Sequence, residues 1–454
     1  MDTGTDSTEP VDSAPVSGGL LLEVGEAQPC AAPVPATWEK TTTLQGNGNA
    51  GPDGGAVAVE DLDGDGDLDI ISSWDVGDWL VVWWNDGGTY TYELIADTEA
   101  WQLSRVDGGW VSGGQSPVIY DESLTPIGQL PPVYGAVREV VDVQGVGRLV
   151  TITSPFGPEH QWDYVVDGAE LDQELASQNA FDALVFDHDQ DGDEDVYVVN
   201  DNPFDGRNVM WHQQDGVLVP TDYAPIRMAG MGGDVGDLNG DGLPDLYLTA
   251  AARNILLLQN PDHTFIDVTF GWNAGVLASG KAMAWGGVFW DADNDGDLDL
   301  MVAEGDFGGE YNLDLGPQPL SLQRNSDETF SPEVWDEGSF RGLVPVDLND
   351  DGVLDIVVSS ASDGPAIWLS QGCGDHGWLR FDGPEGATIR VLGESPQTHW
   401  ISRDSGFGAS KPARSHVGLG DATEVLIRVE YQGLWAEQAL SPNRVVKVSV
   451  DPEH

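Results

Sequence analysis

The chain has 454 residues and a formal net charge of −60, from 78 acidic residues against 18 Lys and Arg. Nucleic acid binding needs a basic face to meet the phosphate backbone, and attachment to an anionic membrane needs clustered cations, so neither is expected. No apolar run approaches the ~18 residues of a membrane-spanning helix, so no transmembrane segment is expected either.

The first residues, MDTGTDSTEPVDSAPVSGG, are rich in Thr, Ser, Asp and Pro and cannot build a core. Residues 1–29 are therefore read as a disordered tether following a removed export signal, with the disordered tail of a cytosolic protein as the alternative. A lipid anchor ahead of this stretch is a candidate attachment. From residue 37 onward, short β-branched and aromatic runs alternate with turns. Five nine-residue acidic loops punctuate them: DLDGDGDLD (61–69), DHDQDGDED (187–195), DLNGDGLPD (237–245), DADNDGDLD (291–299) and DLNDDGVLD (347–355). All fit D-x-[DN]-x-D-G-x-x-D. Oxygen ligands at alternate positions and a Gly at the sixth suit a hard cation of Ca²⁺ size. Without a counter-ion, carboxylates this close repel strongly.

Each loop lies between a Gly-led alternating run and a β-branched run, as in WGGVFWDAD and DLMVAEG, and several units add a third and a fourth run. Four short strands make one antiparallel blade. The last four loops begin 50, 54 and 56 residues apart, and the gap of 126 before them leaves room for two more units. One is a decayed copy, VVDVQGVGRLVTI, which keeps Asp142; the other lies at about 99–134. The prediction is an all-β chain with a seven-bladed β-propeller over residues 30–374 and a small β domain over 375–454. An open solenoid is the alternative.

Unit seven supplies only three strands, and the segment 37–44 (TWEKTTTL) resembles a fourth. Strand 37–44 is therefore predicted to close the ring, which brings Cys30 and Cys373 to neighbouring ends of an antiparallel pair. A Cys30–Cys373 disulfide would lock the closure and implies an oxidising compartment. Two unrelated thiols are the alternative.

The units resemble FG-GAP/VCBS repeats, the calcium-loop blades of integrin α-subunit heads and of many secreted bacterial proteins. The tail SGFGASKPARSHVGLGDATEVLIRVEYQG resembles the ASPIC and UnbV domain, above all at HVGLG (416–420). Propeller and tail together, about residues 36–450, resemble a bacterial-type member of the cartilage acidic protein family. The tail departs from the pattern at Tyr431-Gln432-Gly433, where a Trp-Pro-x-Gly turn is usual.

This resemblance implies about five Ca²⁺ ions. The side-chain ligands it implies are Asp61, Asp63, Asp65 and Asp69; Asp187, Asp189, Asp191 and Asp195; Asp237, Asn239, Asp241 and Asp245; Asp291, Asp293, Asp295 and Asp299; and Asp347, Asn349, Asp351 and Asp355. The seventh residues, Asp67, Asp193, Leu243, Asp297 and Val353, would offer backbone carbonyls.

No G-x-S-x-G, H-E-x-x-H or P-loop is present. His188, at a non-ligand position of its loop, is expected to point to solvent. His416 is expected to be structural. Among the 17 Trp, those of unit one (Trp74, Trp79, Trp83, Trp84) could present a sugar-stacking face. Arg227, Lys281 and Arg341 precede or begin inner strands and could bind an anion at the channel, or simply balance local charge. The expectation is a secreted or cell-surface scaffold for adhesion, binding protein or glycan. A lectin or a polysaccharide-active enzyme is the alternative.

Overall fold

The computed structural model describes the chain except residues 1–15, 29, 31–34, 45–54, 75–78, 98–101, 115, 131–135, 154–162, 168–169, 176–178, 202–206, 252, 276–282, 306–317, 326–327, 361–363, 373, 394 and 453–454. The described residues form strands and turns, with no α-helix among them. This is an all-β, propeller-like fold built of four-stranded antiparallel sheets.

The strands pair consecutively because each sequence unit is a chain of hairpins. Six separate sheets have four strands each, and four more strands form an equivalent unit within a larger sheet. The units are blade 1 (57–97), blade 2 (103–129), blade 3 (136–175), blade 4 (180–221), blade 5 (230–267), blade 6 (284–338) and blade 7 (340–371). Thr37–Thr43 pairs antiparallel with Ala366–Gln371 and supplies the outermost strand of blade 7. Trp38 holds it there, donating its indole N–H to the Leu354 carbonyl at 2.9 Å. The innermost strands touch in cyclic order, with the first strand of blade 7 against that of blade 1. Between blades the core is apolar: Val59, Ile70, Val81, Val344 and Val357 form the seam of blades 1 and 7.

Blades 2 and 3 lack an acidic loop, and their first hairpins are short. In blade 3, strands Ala136–Val143 and Gly147–Thr153 are joined by three residues. Arg148 Nε donates to Asp142 Oδ1 at 2.9 Å, so an arginine neutralises the one remaining loop aspartate.

The tail is a two-sheet β unit around Leu379, Phe381, Ile389, Ile427, Val429 and Val446. It recruits the N-terminus. Val16–Gly18 pairs with Leu434–Leu440, and Leu20–Val24 pairs with Arg444–Val450. The disordered tether expected over residues 1–29 is thus corrected for residues 16–24. Alternate residues Leu20 and Leu22 are buried in the tail core, while Leu21 faces out. This strand's two-residue alternation outweighs the polar composition around it. Residues 1–15 lie outside the described part.

One strand of the tail, Ala409–Gly420, runs on to pair parallel with Val57–Glu60 of blade 1. The loop before it enters the axis of the ring. Phe407 is buried among Phe181, Met231, Met283 and Trp285 of blades 4 to 6. Ser405 Oγ donates to Leu343 O of blade 7 at 2.7 Å, and Val57 N donates to Gly408 O at 3.0 Å. The inner strands carry glycine here because nothing larger fits: a Cβ on Gly232 would lie 2.8 Å from Phe407 Cβ.

Candidate metal centres

The five acidic loops share one hydrogen-bond scheme. The first Asp accepts from the backbone N–H of the sixth-position Gly: Gly66 to Asp61 at 3.2 Å, Gly192 to Asp187 at 3.0 Å, Gly242 to Asp237 at 3.0 Å, Gly296 to Asp291 at 2.9 Å and Gly352 to Asp347 at 3.0 Å. These five glycines have φ between 86° and 101°, the left-handed turn that the loop needs and that side chains resist. The fifth Asp accepts from the seventh N–H in every loop, as from Asp67 to Asp65 and from Val353 to Asp351, both at 2.9 Å.

The ninth Asp is a backbone staple. One oxygen accepts from the second residue's N–H: Leu62, His188, Leu238, Ala292 and Leu348. The other accepts from the third strand: Asn85, Gln213, Gln259, Asn325 and Ser370. Asp69, Asp195, Asp245, Asp299 and Asp355 are all buried. Burial, reinforced by the neighbouring carboxylates, raises their pKa values: to about 6 for Asp69 and Asp195, about 7 for Asp299 and about 8 for Asp245. Asp355 is raised well above the usual range. The first-position Asp187 and Asp237 rise to about 6, and Asp347 to about 7, again through burial first.

Four groups of side chains have ligand atoms within 4.8 Å of one another: Asp61, Asp63 and Asp69; Asp291, Asp293 and Asp295; His188, Asp189 and Asp195; and Asp189, Asp191 and His212. They could hold metal ions. Asp189 Oδ1 and Asp237 Oδ1 are buried without any hydrogen-bond partner. Converging carboxylates, held off their charged state by burial and carrying spare buried oxygens, fit a hard divalent cation.

The loops differ at the third-strand residue that precedes the staple's donor. Blades 1, 5 and 7 place Trp84, Leu258 and Leu369 there; blade 4 places His212 and blade 6 places Arg324. Arg324 Nη1 lies 2.9 Å from Asp293 Oδ2 and 3.4 Å from Asp299 Oδ2, so blade 6 carries a fixed cation at its loop. Nothing in the loop motif itself signals this, since Arg324 is 25 residues past Asp299.

The tail sits on the loops of blades 5, 6 and 7. Thr398 N donates to Asp237 Oδ2 at 3.0 Å. His416 Nε2 bonds Asn294 Oδ1 at 2.7 Å, and Gly420 N donates to Asn294 O at 2.8 Å. A Cβ on Gly418 would collide with the Asp291 carboxylate, and one on Gly352 would strike the Trp378 indole. The HVGLG segment is thus a seat for the blade 6 loop. Between tail and propeller lies a cavity of about 1230 Å³ whose lining includes Arg105, Arg380, Arg403, Lys411 and Arg414. Among its lining residues, burial raises Glu139 and Asp404 well above the usual carboxylate range, and Glu139 hydrogen-bonds Asp182.

Two expectations are corrected. His188 does not face solvent: it is fully buried against Tyr223 and Phe265, because the loop's second residue points into the seam between blades 4 and 5. Trp83 offers no sugar platform: it is 2% exposed and donates to Ser72 Oγ at 3.0 Å. Trp84 is half-buried and bonds Glu93, while the side chains of Trp74 and Trp79 lie outside the described residues. Of the proposed channel cations, Arg227 is exposed and Arg341 is buried with its guanidinium 4.0 Å from the Trp285 ring centroid. Lys281 lies outside the described residues.

A family model described as FG-GAP-like repeat matches residues 187–248 and 237–302. Blades 4 to 6 therefore contain FG-GAP-like repeats in a β-propeller, a family that typically binds ligands or calcium. No curated protein matches the chain. Among solved structures it is similar to BBS1N, crystallised in complex with ARL6DN, at 11% identity and a TM-score of 0.48, covering 73% of this chain and 96% of that one. It is also similar to the RRP9 WD40 repeats, at 10% identity and a TM-score of 0.40, covering 77% and 100%. The Dos1 propeller follows at 9% identity and a TM-score of 0.40, covering 74% and 95%.

Proposed function

We propose that the protein is a calcium-stabilised binding scaffold, exported to the cell surface or beyond, whose partner is a protein or a glycan. The observation that carries this reading is the seating of the tail on three acidic loops. A cation in those loops would fix both the hairpin turns and the domain above them, and so the shape of the cavity between. In this reading Asp61, Asp187, Asp237, Asp291 and Asp347, with the third, fifth and ninth residues of each loop, hold calcium as oxygen ligands, and the seventh residues give carbonyls. The seven blades form a closed ring like that of integrin α heads, and the tail is an ASPIC/UnbV-like domain.

Export is supported by the cysteines. Cys30 Sγ lies 3.8 Å from the Gly374 carbonyl oxygen, beside position 373 in sequence. Cys373 itself lies outside the described residues. Non-reducing peptide mapping is expected to recover Cys30 linked to Cys373; two alkylatable thiols in the secreted protein would reject the pairing.

A second reading, a polysaccharide-active enzyme, is favoured by one observation: Glu139, which lines the cavity, hydrogen-bonds the buried Asp182, and burial raises both carboxyls above the usual range. Glycan arrays, intact cells and soluble polysaccharides, each probed with calcium and with EDTA, separate the readings. Calcium-dependent retention without chain cleavage supports the scaffold. Release of oligosaccharides, lost in Glu139→Gln, replaces it with the enzyme. Retention that ignores EDTA overturns the role of calcium.

A further inference from the structure

We propose that the blade 4 loop is a mixed nitrogen–oxygen site for a divalent transition metal of the zinc class, unlike its sister loops. Its donors are His188 and the carboxylates of Asp189 and Asp195, with His212 beside them. The proposal rests on the side chains of this loop and not on calcium in the others, and it replaces the calcium that the proposed function assigns to this loop.

The second loop position carries Leu62, Leu238, Ala292 and Leu348 in the other four loops, all inert fillers of the blade seam. His188 takes that place in blade 4 with zero exposure. Its Nε2 lies 3.1 Å from the carbonyl oxygen of His263. A carbonyl only accepts, so Nε2 carries the hydrogen and the neutral ring presents a lone pair at Nδ1. That Nδ1 has no hydrogen-bond partner and stands 3.7 Å from Asp195 Oδ2. A buried lone pair facing a carboxylate is repulsive unless a cation lies between them. Fixing one imidazole nitrogen through a backbone carbonyl is also how metal-binding histidines are oriented.

His212 approaches from the third strand. Its Nδ1 is 3.6 Å from Asp189 Oδ2 and 3.0 Å from Asp195 Oδ1. The ligand atoms of His188, Asp189 and Asp195 form one group within 4.8 Å, and those of Asp189, Asp191 and His212 form a second. Asp189 belongs to both, so His212 stands beside the carboxylates of the site while His188 shares a donor group with Asp189 and Asp195. Asp189 Oδ1 is itself buried without a partner. Carboxylate and carbonyl oxygen alone suit calcium, whereas an imidazole nitrogen in the donor set favours zinc, cobalt, nickel or copper.

The sister loops supply the control. His188→Leu/His212→Leu rebuilds blade 4 with residues that blades 5 and 7 already carry at both positions. The full chain, stripped of metal and returned to millimolar calcium, is titrated with Co²⁺ and followed by visible absorption and equilibrium dialysis. One Co²⁺ per chain is expected to resist calcium and to give a spectrum of nitrogen ligation. In the double variant Co²⁺ affinity should fall by more than the 10- to 100-fold typical of outer-shell changes, with calcium bound by the four sister loops unchanged. Co²⁺ displaced by calcium in the wild type, or bound equally by the variant, overturns the proposal. Should the variant not fold, Cu²⁺ electron paramagnetic resonance on the wild type decides: nitrogen superhyperfine splitting supports the site, and an all-oxygen spectrum rejects it.

Discussion

EDTA is expected to lower the melting temperature by more than ten degrees at pH 8, and by much less at pH 5. A site loaded 100-fold above its Kd stabilises the fold by about 2.7 kcal/mol. Four or five such sites supply about 11–14 kcal/mol, comparable with the 5–15 kcal/mol margin of a whole domain. At about 1–2 degrees per kcal/mol for a chain of this size, extrapolated from smaller domains, the shift passes ten degrees.

The pH dependence follows from the direction of the carboxylate shifts. In the metal-free loops Asp69, Asp187, Asp195 and Asp237 are raised to about 6, Asp299 and Asp347 to about 7, and Asp245 to about 8. Their unfolded values lie near 4. Between the unfolded and folded values the native state binds more protons, so metal-free stability falls as pH rises from about 4 to about 8. Buried Glu139 and Asp404 act in the same direction. Calcium takes the place of the loop protons, so the loaded protein loses less stability over that window. Melting curves at pH 5, 6.5 and 8 with and without EDTA test this. A metal-free melt that rises with pH, or a chelator effect equal at every pH, contradicts it.

The loops were legible in sequence because their chemistry is local. Each first and fifth Asp is tied to a backbone N–H two to five residues away, and spacing alone encodes that. The role of the ninth Asp was only half legible. Its second partner lies 14 to 26 residues further on, across a hairpin of variable length. His188 was misjudged for a related reason. The motif marks its position as a non-ligand, but what the side chain meets is Phe265 of the next blade, not the loop. The strands at residues 16–24 were hidden by the polar composition upstream, and the three consecutive leucines Leu20, Leu21 and Leu22 show no two-residue period in sequence. The axial insertion of Phe407 had no signal beyond its flanking glycines, which read equally well as a turn.

Replacing the ninth residue should be more damaging than replacing the third, and for a different reason. Asp355→Ala removes the acceptor from Ser370 N at 2.6 Å and from Leu348 N at 2.8 Å, at a site with no exposure. Two donors left without partners cost about 1–3 kcal/mol each, with calcium or without it. Asp63 is exposed, and its Oδ1 meets only Asp65 N, at 3.2 Å. Asp63→Ala should cost about 2.7 kcal/mol in saturating calcium, the worth of one site. In EDTA the same change should lie within about 0.5 kcal/mol of zero, since it also relieves repulsion from Asp61 and Asp69. Urea unfolding of both variants in both buffers resolves the two roles. If Asp355→Ala becomes as mild as Asp63→Ala in EDTA, the ninth residue is a ligand and not a staple. If Asp63→Ala costs the same in both buffers, the loop does not gain its stability from metal.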